Sequence, residues 1–196
     1  MTHGAIKDSH YPRKIFHALA GAVIPSAYYL EILPREALTG LVLTSAAAWI
    51  GFDSLRLRNA SLNERFARAL RPLLKRKETH ALTGASYLLG GASMAILLYP
   101  TAVMMTTLFF IALGDPAAAV IGKRFGRTRF HNGRSLEGSL AMFATCLFIA
   151  RWLGGFTWSV SAAGAMIAAV TELYSGNIDD NITVPLLSGA ALVALS

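Results

Sequence analysis

Seven apolar stretches dominate this sequence, and most are close to the length a helix needs to cross a bilayer. They cover residues 15–33, 37–52, 82–98, 103–121, 136–153 and 158–173, with a last one at 183–195. About 20 apolar residues cross the hydrocarbon core as a helix. The last run, with only 13 residues, would reach about 20 Å and is a short span or one that begins below the surface. In lipid every backbone N–H and C=O must be satisfied internally, so such runs read as helices. Charged residues are only 15% of the chain and hydrophobic ones 54%, whereas water-soluble domains carry about 25% charge. The expected fold is all-α integral membrane, with about seven transmembrane helices, the seventh short, in a single transmembrane domain over residues 1–196.

The formal charge is +7, from 18 basic and 11 acidic residues. With the N-terminus cytoplasmic, 16 of the 18 basic residues fall on the cytoplasmic side, and only Arg35 and Arg151 fall outside. This is the positive-inside pattern. It accounts for the surplus without nucleic acid, which is not an expected partner. No small-residue cleavage site follows the first apolar run early enough to mark a signal peptide, so that span is expected to be retained. The single cysteine, Cys146, excludes an intrachain disulfide and a multi-cysteine zinc site. Between the second and third spans, residues 54–77 place Leu55, Leu62, Phe66, Ala69, Leu70 and Leu73 at roughly helical spacing among arginines. An amphipathic helix on the inner membrane surface is expected there.

Ionisable groups near membrane depth are expensive, and each is a candidate for function. Four clusters stand out, all expected at cytoplasmic ends of spans. Arg13 and Lys14 anchor the first, with His17 one turn inside. Glu78 and His80 open the second, ahead of Gly84 and Ser86, whose small size permits close helix packing. The third is the richest: Gly114-Asp115-Pro116 interrupts the fourth span, Asp115 suiting an N-cap and Pro116 a first helical turn. A break and restart is expected at that point, around a protein-lined cavity. Lys123, Arg124, Arg127, Arg129 and Arg134 follow, interleaved with Gly122, Gly126 and Gly133, before Ser135 and Glu137 start the next helix. Cations can neutralise a polyphosphate, and glycines let backbone approach a ligand. A carboxylate at each end of the loop suggests phosphate together with a divalent metal. No GxxxxGK[ST] is present, so the loop is not a P-loop. The fourth cluster, Asp179, Asp180 and Asn181, offers hard oxygen ligands of the kind Mg²⁺ prefers.

In this order, the four clusters resemble the CTP-dependent lipid kinase family, which includes dolichol kinases, phytol kinases and CTP-using diacylglycerol kinases. The resemblance runs from Arg13 to about Ser188. It is most specific in GDPAAAVIGKRFG (114–126) and RSLEGS (134–139), and is supported by DDNITVPL (179–186), RKIFH (13–17) and ETHALTGASYLLG (78–90). Arg134 stands where the family more often has Lys, and Asp53 where Glu is expected.

The resemblance implies transfer of the γ-phosphoryl group of CTP to the hydroxyl of a lipid alcohol, with Mg²⁺ (or Mn²⁺), in an integral membrane protein whose active site faces the cytoplasm. In a prokaryote that membrane would be the plasma membrane. The nucleotide triphosphate would be held by Lys123, Arg124, Arg134 and Ser135, with Gly122 and Gly126 giving it room. Metal ligands would come from Asp115, Glu137, Asp179 and Asp180. Either Asp115 or Asp180 would accept the hydroxyl proton, with Arg13, Lys14, His17, Glu78 and Asn181 as further site candidates. The lipid alcohol (polyprenol, phytol type or diacylglycerol) and the oligomeric state stay open. Two other functions fit parts of the pattern: a CTP-using cytidylyltransferase that releases pyrophosphate, and a small transporter with a broken helix.

Overall fold

The computed structural model describes residues 11–70, 73–74, 76–130, 132–175 and 178–196, excluding the side chains of 11–15, 17 and 76. These residues form α1 (Tyr11–Tyr29), α2 (Arg35–Arg58), α3 (Ala60–Ala69), α4 (Gly84–Leu98) and α5 (Thr101–Phe109). After them come α6 (Asp115–Phe125), α7 (Leu136–Phe148), α8 (Trp158–Tyr174) and α9 (Asp180–Leu195). Among the described residues there is no strand, only an isolated antiparallel bridge between Arg129 and Ser135.

The helix carrying the Gly-Asp-Pro motif does not break, contrary to the sequence expectation. A π turn, Phe110–Gly114, joins α5 to α6 in one helix of 25 residues, Thr101–Phe125. Gly114 keeps helical dihedrals (φ −68°, ψ −49°), so Asp115 is not a non-helical cap. The reason lies in Pro116, whose ring would clash with the carbonyl four residues earlier in a regular helix. The wider π turn just before it absorbs that mismatch without opening the backbone. The turn is packed on all but its Leu113 side: Phe110 and Ala112 are completely buried. A side chain at Gly21 would meet Ala112 at 3.4 Å, and one at Gly114 would meet Cys146 Sγ at 3.0 Å. Glycine at these positions brings α1 and α7 onto the rod.

Two apolar clusters hold the bundle. One joins the rod to α7, α8 and α9 through Phe110, Ile111, Met142, Cys146, Ala165, Val184 and Leu192. The other joins α1, α2, α4 and α5 through Tyr28, Val42, Ala92, Ile96 and Met104. Outward faces remain apolar, with Leu19, Val23, Leu41, Leu97, Leu140, Met166 and Leu187 exposed. So broad an apolar exterior suits lipid rather than water. By length and composition, α2, the α5–α6 rod and the helix Leu136–Leu153 can cross a membrane, while α4 and α9 are apolar but shorter. At the α7–α8 connection Trp152 packs edge-on to Trp158 at 5.3 Å and stacks on Phe148 at 4.7 Å. Such an aromatic group suits a membrane–water boundary.

The last helix begins deep. Pro185 has no N–H for the Asn181 carbonyl, and a side chain at Gly91 would run into that same carbonyl. Glycine therefore lets α4 close on the first turn of α9 at a point seven residues inside α4, about 10 Å below its start. The expected amphipathic helix over 54–77 is shorter than predicted: α2 continues to Arg58, the backbone extends at Asn59, and α3 occupies only Ala60–Ala69. The Asn59 side chain caps it by accepting from the Leu62 N–H at 3.1 Å. Leu55, counted on the sequence with the amphipathic face, belongs to α2.

Candidate active site

The α6–α7 loop folds as a small pinned turn. Phe130 N–H donates to the Arg134 carbonyl at 2.8 Å, and Gly133 N–H to the Phe130 carbonyl at 2.9 Å, with Gly133 at φ +81°. Asn132 ties the turn to the end of α8, donating from Nδ2 to the Leu173 carbonyl at 2.6 Å, while its Oδ1 accepts from Arg134 N–H at 3.1 Å. Ser135 then caps α7, its Oγ accepting from Gly138 N–H at 3.1 Å. Glu137 secures the loop from the other side: Oε1 accepts from the N–H groups of Arg127 (3.0 Å) and Thr128 (3.2 Å).

This turn closes a cavity of about 370 Å³ between α6, α7, α8 and α9. Asp115, Ala118, Ala119 and Gly122 line it from α6, at the spacing of one helical face. Lys123, Arg129, Gly133, Arg134, Ser135, Gly138 and Ser139 complete the rim, and Glu172 and Asp180 enter from α8 and α9. Arg134 Nη1 lies 3.0 Å from Glu172 Oε1, and Nη2 lies 3.5 Å from Asp180 Oδ2. The lining therefore carries three carboxylates and three basic side chains. Opposite charges in one concave site are balanced in number, which a polyanion entering alone would upset.

Several expected site residues meet here: Asp115, Asp180, Lys123, Arg134, Ser135 and Gly122. Others stand elsewhere. Arg124 is exposed beside the cavity, its guanidinium 5.4 Å above the Phe125 ring. Glu137 holds loop backbone rather than facing the cavity. Asp179 caps α9, accepting from Asn181 N–H and Nδ2, and Asn181 is buried at the α4 contact with its Oδ1 unpaired. Gly122 and Gly126 are also required by the packing of the protein itself. A side chain at Gly122 would sit 2.8 Å from Ser135 Oγ, and one at Gly126 would strike the Gly122 carbonyl. The side chains of Arg13, Lys14 and His17 lie outside the described part.

Two features escaped the sequence reading. Glu172 is not among the residues the sequence singles out, although it stands in the last turn of α8, eight residues before Asp180 at the start of α9. The second is a buried polar hub at the other side of the bundle. Asp53 Oδ1 accepts from Arg56 Nε, and Oδ2 accepts from Thr83 N–H (2.7 Å), Thr83 Oγ1 (2.9 Å) and Ser86 Oγ (2.6 Å). Arg56 also donates to Asn63 Oδ1 and to the carbonyls of Glu78 and Ala81. Asp53 and Arg56 are both fully buried. Glu78 belongs to this side, facing a mostly apolar cavity of about 270 Å³ with Trp49, Phe66 and Leu70. The acidic residue three before an arginine at a span end was the available signal.

Among the described residues, no three histidine, cysteine or acidic side chains form a ready-made metal centre. The cavity's donor set nonetheless suits Mg²⁺, which usually takes one or two carboxylates and completes its shell with phosphate oxygens and water. Asp115, Glu172 and Asp180 supply hard oxygens for an ion that arrives with phosphate.

No family model matches the chain, and no solved structure matches it. It is 30% identical to an uncharacterized protein of Rickettsia prowazekii, over 91% of both chains. It is 27% identical to CTP-dependent diacylglycerol kinase 1 of Saccharomyces cerevisiae, over 97% of this chain and 74% of that one. Phytol kinase of Synechocystis is also 27% identical, over 97% of this chain and 80% of its own. The resemblance carried by the ordered motifs thus extends along nearly the whole sequence, and the chain belongs to the CTP-dependent lipid kinase family, as a membrane protein with kinase activity.

Proposed function

We propose that this protein transfers the γ-phosphoryl group of CTP to the hydroxyl of a lipid alcohol at the cavity between α6, α7, α8 and α9. The mixed, number-balanced charge of that cavity carries the reading. Phosphoryl transfer asks for charge neutralisation and in-line positioning more than covalent chemistry. Lys123, Arg129 and Arg134 hold the phosphates. Asp115, Glu172 and Asp180 would hold Mg²⁺, which would supply neutralisation of phosphate charge.

The α6 face sets the order of substrates. Lys123 lies eight residues beyond Asp115, about 12 Å along the helix axis. Between them run Ala118, Ala119 and Gly122, small residues that leave room for the phosphates to reach the alcohol. The polyphosphate belongs at the Lys123 end and the alcohol at the Asp115 end. Asp115 then accepts the hydroxyl proton as the alcohol oxygen bonds to the γ-phosphorus. The bond from that phosphorus to the bridging oxygen breaks, and CDP leaves with the electron pair. Asp180, 3.5 Å from Arg134, is the alternative acceptor. In the membrane, a seven-span arrangement with a cytoplasmic N-terminus puts this cavity on the nucleotide's side of the bilayer.

Purified protein incubated with Mg²⁺, labelled CTP or ATP, and a panel of lipid alcohols should yield a phosphorylated lipid and CDP. Pyrophosphate as the product would replace the kinase reading by a cytidylyltransferase. Turnover without any lipid acceptor would remove the lipid from it. Within the loop, the two adjacent cations should separate. Lys123→Ala is expected to raise the apparent KM for nucleotide about tenfold, as loss of a charge-assisted phosphate contact does. Arg124→Ala, at an exposed position off the cavity, should change it by less than about twofold. Equal effects from both would mean the phosphates run along the outside of the loop instead.

A further inference from the structure

We propose that Glu172 is a positioning residue that competes with nucleotide phosphate for Arg134, so that phosphate binding and neutralisation of Glu172 by a divalent cation are coupled. The proposal rests on the kinase reading and names the device that orders its ligands. Arg134 lines the cavity and is paired with two of its carboxylates, Glu172 at 3.0 Å and Asp180 at 3.5 Å. A guanidinium has a fixed fork of donors, so carboxylate and phosphate draw on the same N–H groups. Nη1 faces Glu172 at 3.0 Å while Nη2 faces Asp180 at 3.5 Å, so the guanidinium is shared between two carboxylates rather than forked on one. An ion pair of this kind exchanges partners more readily than a bidentate one.

The two partners differ in their freedom. Arg134 keeps 26% of its side-chain surface exposed, whereas Glu172 keeps 9%. Asn132 holds the backbone at Arg134 by accepting its N–H and anchoring on the Leu173 carbonyl, one residue past Glu172. Only the arginine side chain need turn toward the ligand. Its departure leaves Glu172 as a buried carboxylate without its counter-charge, which is costly unless another cation replaces it. Asp115 and Asp180 face the same cavity and add to the negative potential. Phosphate therefore binds poorly alone and well with a divalent cation, and by linkage each raises the other's affinity by the same factor.

Binding of a non-hydrolysable CTP analogue to detergent-purified wild type, Glu172→Gln and Glu172→Asp, in chelator and in saturating Mg²⁺, tests this directly. Glu172→Gln should bind the analogue about three- to tenfold more tightly than wild type in chelator, the range expected for losing one competing ion pair. Its gain on adding Mg²⁺ should shrink by a similar factor. A merely structural role for Glu172 would weaken binding in both conditions. Glu172→Asp keeps the charge and should stay at wild-type affinity in chelator, while needing more Mg²⁺ for half-maximal analogue binding. Wild-type affinity in chelator together with a full Mg²⁺ gain in Glu172→Gln overturns the coupling. Should that variant not fold, an unchanged Mg²⁺ requirement in Glu172→Asp overturns it. If wild type binds no nucleotide in either condition, the kinase reading itself falls, and the coupling with it.

Discussion

Asp115→Asn is expected to lower lipid phosphorylation on the order of 10²–10⁴-fold, the usual effect of removing a general base, while the protein stays folded. The residue lies in the first turn of α6 and is buried at 8% exposure against the cavity. Asparagine has the same shape and remains compatible with a first helical turn, so the π turn and Pro116 behind it should be undisturbed. What is lost is a proton acceptor and one negative charge. The phosphate contacts come from Lys123, Arg129 and Arg134, which the substitution leaves in place, so nucleotide affinity in saturating Mg²⁺ should change little. The expected pattern is a collapse of kcat with little change in nucleotide affinity, read by steady-state kinetics beside a binding measurement. Near-normal turnover would remove Asp115 from the chemistry. A loss of nucleotide affinity alone would make it a binding residue.

The second large effect concerns stability. Asp53→Ala is expected to destabilise the protein by about 3–5 kcal/mol, the range for breaking one member of a buried ion pair. Three donors lose their shared acceptor: Thr83 N–H, Thr83 Oγ1 and Ser86 Oγ. Arg56 keeps its bonds to Asn63 and to the Glu78 and Ala81 carbonyls but loses its counter-charge. These contacts join α2 to α3 and to the start of α4, so the loss should be felt across that whole corner. Thermal denaturation in detergent should show a lowered midpoint, and Asp53→Asn, which retains an acceptor, should fall between wild type and Asp53→Ala. An unchanged midpoint for Asp53→Ala would mean the hub is incidental. Replacing Arg56 as well should not restore stability, because the two carbonyls it serves would then be orphaned.

What the sequence made legible was chiefly what composition and periodicity encode. Apolar runs and scarce charge implied helices in lipid, and Asp115, Lys123, Arg134 and Asp180 stood out because polar groups are rare in such surroundings. Their convergence was not legible. Asp180 and Arg134 meet only because α9 begins deep against Gly91 and Asn132 fastens the loop to α8, both consequences of packing between distant segments. The break expected at Gly114-Asp115-Pro116 failed for a local reason: proline forbids a regular α-turn but not a π turn, and buried Phe110 and Ala112 favour the continuous rod. Glu137 shows the ambiguity of such a signal, since a carboxylate that holds two backbone N–H groups through one oxygen has the same sequence signature as one that holds a metal. The sequence offers the loop glycines as room for a ligand, and packing gives Gly122 and Gly126 a second task, making room for Ser135. Asp53 and Glu172 show the converse, since a single acid in an apolar helix declares its cost but not its partner.

The π turn also constrains how the gene can change. A helix advances about 100° of azimuth with each residue, so the rod contains one residue more than its α-helical halves require. Deleting one residue of Phe110–Gly114 would leave the azimuth of α6 nearly unchanged, but the regular winding it restores would set the Pro116 ring against the carbonyl four residues earlier. Adding one would instead turn α6 by about 100° and carry Asp115 and Lys123 off the cavity together. The stretch before the aspartate can therefore shorten only at a cost to the proline and lengthen only at a cost to the site.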